Sequence, residues 1–150
     1  MREATGNALL TMIVAATIAI ILTFFVGTLS YSKSYKIKNY IIDQIEENYG
    51  WDSKLAEDID EYLKDVGYNV ADNLNCNNYV PTNCKSVYQA PLYNYCVYQC
   101  DDAAYRNFKV LTFMKFEFPV IDDTLKLKVW GQTKNFHLNS NGEISPYFVK

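Results

Sequence analysis

Four cysteines are the residues of this chain best suited to chemistry: Cys76, Cys84, Cys96 and Cys100, spaced C-x7-C-x11-C-x3-C in a loop-rich, Asn-rich region. A structural zinc site would use paired C-x2-C knuckles, which this spacing lacks. A cysteine nucleophile would need a base, and the only histidine, His137, sits in a strand pattern. An even set of cysteines in a small domain reads instead as two disulfides, which require an oxidising compartment. Four cysteines allow three pairings. Cys76 with Cys84 and Cys96 with Cys100 is a local solution, Cys76 with Cys100 and Cys84 with Cys96 a nested one, and spacing does not decide.

Other reactive groups are sparse. Asp58 and Glu61, or Glu57 and Glu61, share a predicted helix face as solvated carboxylates commonly do, and the DIDE run lacks the glycine and ligand spacing of an EF-hand loop. There is no G-x-S-x-G elbow, and the six glycines are scattered as turns and caps. The reading is a non-catalytic protein, with no cofactor or metal expected. A net charge of -3 gives no electrostatic case for nucleic acid. Charge is nonetheless uneven: nine acidic side chains against two lysines between Asp43 and Asp65, and six basic against three acidic between Arg106 and Phe136. Oppositely charged faces can steer contacts between copies, and they can equally be solvated surface.

These residues depend on elements that begin with an uncharged stretch from Ala4 to Ser32. A helix needs roughly 20 apolar residues to span a bilayer, and Ala8 to Leu29 meets that length. The hydroxyls of Thr11, Thr17, Thr23 and Thr28 can return to the helix backbone. Signal peptides have an apolar core of about 7 to 15 residues, so an uncleaved membrane helix fits better. No Pro or Gly follows between Ser30 and Asn48, and Ile37, Ile41, Ile45 and Tyr49 recur every fourth residue with Ile42 beside them. One continuous helix is predicted over residues 7–49, transmembrane and then amphipathic, with Gly50 as its stop. Lys33, Lys36 and Lys38 mildly favour a cytoplasmic C-terminal side, whereas the disulfides favour an extracytoplasmic one, and the cysteines carry more weight.

Residues 50–150 read as an α+β domain. Asp52 or Ser53 can cap a short second helix with Leu55, Ile59, Leu63 and Val66 on one face and Gly67 at its end. Tyr68 to Gln89 reads as loop. A strand follows at 93–100, and Phe108, Val110, Thr112, Met114, Phe116, Phe118 and Val120 then alternate with Lys109, Lys115 and Glu117 as one half-buried strand. Asp122 and Asp123 form a turn. Leu125, Leu127 and Val129 continue the alternation, Gly131 suggests a bulge or bend, and the strand resumes through Phe136 and Leu138. Asn141-Gly142 closes a hairpin onto Ile144 to Val149. The result is a C-terminal antiparallel β-meander covered by the helix stripe, with disulfide-stapled loops.

The run ATGNALLTMIVAA, the long helix after it and the late FEFPVIDDTLKLKVWGQTK together resemble the type IV pilin superfamily. The likeness is to the pseudopilins of Tad-type (tight-adherence) secretion systems and the short pilin-like proteins of Gram-positive bacteria, whose endings run F-x-F-P-V-I … G-x-T-K. The resemblance implies a subunit of a pilus, secretion or adhesion apparatus that assembles with itself or other pilin-like subunits through the helix, its face being Ile37, Ile41, Ile45 and Tyr49. It also implies a prepilin peptidase that cuts between Gly6 and Asn7, making residues 1–6 a leader. The chain departs from major pilins in carrying Thr11 where they have Glu at the fifth mature position, an acid that minor pseudopilins can lack. The expected location is the cell membrane, single-pass, with the domain outside or in a surface filament. The competing expectation is a single-pass anchored extracellular domain with no filament role, using Tyr-rich surface from Tyr88 to Tyr105 to bind a peptide or glycan.

Overall fold

Alternation of apolar and polar residues at two periods, near four in the N-terminal third and two in the C-terminal half, dictates helix followed by sheet. The computed structural model describes residues 2–68, 75–117, 124–139 and 141–145. It is α+β: helices α1 (Arg2–Glu47) and α2 (Ser53–Asp65), a single 3₁₀ turn (Cys76–Tyr79), and strands β1 (Cys84–Gln89), β2 (Tyr95–Asp101), β3 (Tyr105–Glu117), β4 (Thr124–Gln132) and β5 (Phe136–His137). The strands form one antiparallel sheet in the order β1-β2-β3-β4, and β5 pairs with the start of β3 beyond the end of β4.

Helix α1 is a rod about 69 Å long at the usual helical rise. It begins at Arg2, so Gly6 and Asn7 lie within the helix and not at its start. Nearly every side chain from Asn7 to Leu29 is exposed, Phe24 at 79 %. The four threonine hydroxyls do return to the helix, each bonding the carbonyl four residues back at 2.8 to 2.9 Å. This segment is long and apolar enough to cross a membrane. From Ser34 onward one face turns inward, and Ile37, Ile41 and Ile45 are fully buried. The helix closes through Gly50 N–H to Ile45 C=O at 3.0 Å, with Tyr49 and not Gly50 in the left-handed conformation that such closures use (φ 52°).

Helix α2 follows its sequence signals closely. Asp52 caps it by accepting from Leu55 N–H at 2.7 Å; Leu55, Ile59 and Leu63 are buried, and Gly67 (φ 62°) ends it. Lys33 of α1 donates to the Gly67 carbonyl at 3.0 Å, tying the two helices together at a carbonyl-rich end. Both helices cover one face of the sheet, where Tyr95, Val97, Phe108 and Val110 join the isoleucines in the main core.

Three expectations are corrected. Cys84–Gln89, read as loop, is the edge strand β1; it is only half-buried and carries a register irregularity between Ser86 and Tyr88, so its alternation is weak. The alternate face of β3, read as polar, buries Leu111 and Phe113 in a second cluster with Cys76, Cys96 and Tyr98. Gly131 makes no bulge: Val110 opposes it in unbroken register. The break falls at residues 133–135, where Thr133 Oγ1 accepts from Phe108 N–H at 2.9 Å in place of a ladder bond. The Asn141-Gly142 turn closes as expected through a Leu138 to Ile144 bridge. Phe118, Val120, the Asp122-Asp123 turn and the last strand's residues 146–149 lie outside the described residues, as does the part of the loop at 69–74.

Gly131 lets the helix approach the strand closely. A Cβ there would come within 2.5 Å of Ile42 Cδ1 and 2.6 Å of Lys38 Cδ. Gly131→Ala is therefore expected to lower the unfolding free energy by about 1 to 3 kcal/mol. Ile42→Val deletes the nearest clashing atom, and in the double variant it should return part of that loss; simple additivity of the two losses in denaturant titrations in detergent would contradict this packing.

Candidate functional site

The four cysteines are all oxidised and all converge on β2. Cys84 and Cys100 occupy opposed positions at the β1–β2 pair, with a Cα–Cα distance of 4.1 Å, and are bonded to each other. Cys76 is bonded to Cys96, with 5.8 Å between Cα atoms. This is the third of the three pairings, neither the local nor the nested one considered from spacing, because the 3₁₀ turn folds back over the sheet and brings Cys76 above the start of β2, where Cys96 lies. Tyr98 fixes that turn further by donating its hydroxyl to the Cys76 carbonyl at 2.9 Å, and Gln89 accepts from Cys76 N–H at 3.1 Å.

The covered second face leaves an open groove of about 510 Å³ between the 3₁₀ turn and β4, with Tyr79, Lys109 and Trp130 among its walls. Sequence reasoning missed it, since Tyr79 and Trp130 are distant in the chain and meet only because the disulfides place the turn there.

On the helix side, Asp60 of α2 accepts hydroxyl hydrogen bonds from Tyr88 and Tyr95, each at 2.8 Å. Tyr68 donates to the Phe113 carbonyl at 2.6 Å. The tyrosines expected as a binding surface are thus mostly structural: Tyr93, Tyr95 and Tyr98 are buried and Tyr88 is half-buried. Tyr105 is exposed and packs edge-on against His137, ring centroids 4.5 Å apart. Burial pushes the phenols of Tyr68 and Tyr98 up to about 12. Burial and the Asp60 carboxylate hold those of Tyr88 and Tyr95 well above the ordinary tyrosine range.

The stripe expected to be an assembly face is placed elsewhere. Ile37, Ile41 and Ile45 are 0 to 2 % exposed against the chain's own sheet, and Tyr49 lies past the helix end. The sheet's apolar face needs a cover, and a cover within the same chain has no association entropy to overcome. What α1 leaves open to a membrane or a neighbour is the segment Asn7 to Leu29. Gly6 and Asn7 are separate from the cysteine region, near the far end of the rod. Among the described residues no group of three or more His, Cys, Asp or Glu side chains is placed to hold a metal ion. The chain matches no family model, no curated protein and no solved structure.

Non-reducing peptide mapping is expected to recover Cys76 linked to Cys96 and Cys84 linked to Cys100; any fragment joining Cys76 to Cys84 or to Cys100 contradicts this geometry. Replacing Cys76 and Cys96 together by serine should cost about 2 to 4 kcal/mol of stability.

Alkali provides a second test. An unfolded tyrosine ionises near pH 10, while the folded phenols keep their protons to about 12. The stabilisation is complete below pH 10 and is lost as pH rises through that window, because only the unfolded state releases protons. The thermal midpoint followed by circular dichroism should fall steeply from pH 10 to 12, and Tyr68→Phe should flatten that fall.

Proposed function

We propose that the protein is a non-catalytic pilin-like (pseudopilin) subunit of a type IV pilus or Tad-type secretion or adhesion apparatus, with its C-terminal domain outside the cytoplasm. The observation that supports this reading is the single uninterrupted helix α1, exposed and apolar in its first half and built into the domain's core in its second. A plain anchor needs no such continuity, because a flexible linker after the span would serve as well. In a subunit it has a purpose: force or position transmitted along the rod reaches the domain without slack.

Assembly on this reading transfers the Asn7 to Leu29 segment from lipid to the flanks of neighbouring helices. Both surroundings are apolar, so burial energy does not oppose the exchange, and close van der Waals packing decides it. Partners are copies of this chain or other pilin-like subunits, and a prepilin peptidase acting between Gly6 and Asn7 would precede export. The disulfides favour an oxidising location for the domain.

A second reading, an anchored extracellular binding domain with no filament role, is favoured by the open groove beside Trp130. N-terminal sequencing of protein from its native host, combined with electron microscopy of sheared surface material, separates the two. A mature start at Asn7 and presence in filaments are expected; an intact Met1 with no filament-associated fraction would leave only the anchored domain.

A further inference from the structure

The second face of the sheet carries an exposed aromatic surface beside two lysines, Lys109 and Lys128. Trp130 is 42 % exposed although it lies on a strand, and its ring is supported by the buried ring of Tyr98 at 5.7 Å. Tyr79 forms the opposite wall, edge-on to Phe113 at 5.5 Å, with Lys128 Nζ 4.4 Å above its ring. Register places the lysines on this same face: Lys109 opposes Gln132, Leu111 opposes Trp130, and Phe113 opposes Lys128. Among the described residues no carboxylate forms an ion pair with Lys109 or Lys128.

We propose that this groove binds an anionic glycan, a polysaccharide carrying carboxylates of the uronic-acid type. The ligand must meet two demands at once. It needs a flat apolar face to cover the indole, which is costly to leave wet, and it needs negative charge and hydroxyls for two ammonium groups and the Gln132 carboxamide. A pyranose ring presents C–H groups on one face and hydroxyls at its rim, and a uronate adds the charge. An extended peptide fits less well, because the main chains of β3 and β4 are paired to each other beneath the groove and offer a peptide backbone little to bond. A second copy's helix α2 has charge complementarity through Glu57, Asp58, Glu61 and Asp65, yet every exposed residue of that helix is polar, so docking it would leave Trp130 without an apolar cover. The groove works in the same way whether the chain assembles or stands alone as an anchored domain.

The test uses the full chain in detergent micelles with oligogalacturonate as probe, and with a neutral malto-oligosaccharide and poly-glutamate as comparators. Oligogalacturonate is expected to perturb tryptophan emission and bind more tightly than either comparator. Trp130→Ala should weaken it by roughly tenfold or more, as loss of a central aromatic anchor does. Lys109→Gln keeps the ring and should weaken the uronate severalfold, with little effect on the neutral sugar; its unchanged melting curve guards against a folding artefact. Equal or tighter binding of poly-glutamate would overturn the proposal in favour of an acidic protein partner, as would uronate binding that is absent or indifferent to Trp130→Ala.

Discussion

Gly131 has no side chain, and for that reason α1 lies directly against β4, with Lys38 and Ile42 over the strand. Much else depends on this contact. The stem of Lys38 is buried, and its ammonium is held 4.1 Å above the ring of Tyr35, so a charged residue crosses the core boundary without stranding its charge. At the end of the helix, Glu46 accepts from Lys134 N–H at 2.7 Å and pairs with the Lys134 ammonium at 3.2 Å. The helix is thereby fastened over and just past the same strand. Its apolar half consequently projects as an extension of a packed element, and its direction is set by the sheet.

The opposite face of the sheet solves a different problem. A small domain with helices on one side only would leave Leu111 and Phe113 in water. The chain covers them with a single 3₁₀ turn, too short to bury much surface or to hold itself in place. Covalent bonds supply what its packing lacks. Cys76–Cys96 ties the turn to the start of β2, while Cys84–Cys100 secures the half-buried edge strand β1 that leads out of it. The covering is only partial, and the uncovered remainder is the groove beside Trp130.

This division explains what could be read in the sequence. The isoleucine stripe repeating every fourth residue, the Asp52 cap, the Gly67 stop and the Phe108, Val110 and Thr112 face of β3 are local patterns with local causes, and each appears where its residues place it. The features that escaped are those whose cause is remote. β1 shows little alternation because it is an edge held by a disulfide. Leu111 and Phe113 share their face with Lys109 and Lys115 at its two ends, so the face looked polar until a distant loop was folded onto it. Gly131 has the composition of a bulge, but the reason for it is a helix some ninety residues earlier in the chain (Lys38 and Ile42). Ile37, Ile41 and Ile45, expected as an assembly face, lie in the chain's own core for a related reason: periodicity reveals that a face is buried, not what buries it.

The tyrosines set the register between the second helix and the sheet. An apolar stripe such as Leu55, Ile59 and Leu63 drives α2 onto the sheet but is forgiving about register, since apolar contact has no direction. Hydrogen bonds are not forgiving. Asp60 receives two phenols from neighbouring strands, one on each carboxylate oxygen, and Tyr68 just past the helix reaches the Phe113 carbonyl of β3. Sliding α2 by one turn would keep apolar burial nearly constant while leaving these polar groups without partners, a loss of about 1 to 3 kcal/mol for each buried group. Phenylalanine in the same places would supply similar area and no such penalty for misplacement. A sheet rich in Tyr therefore reads as a core whose alignment with its helices is specified by hydroxyls, and the surface left for recognition is correspondingly small and aromatic in only a few positions.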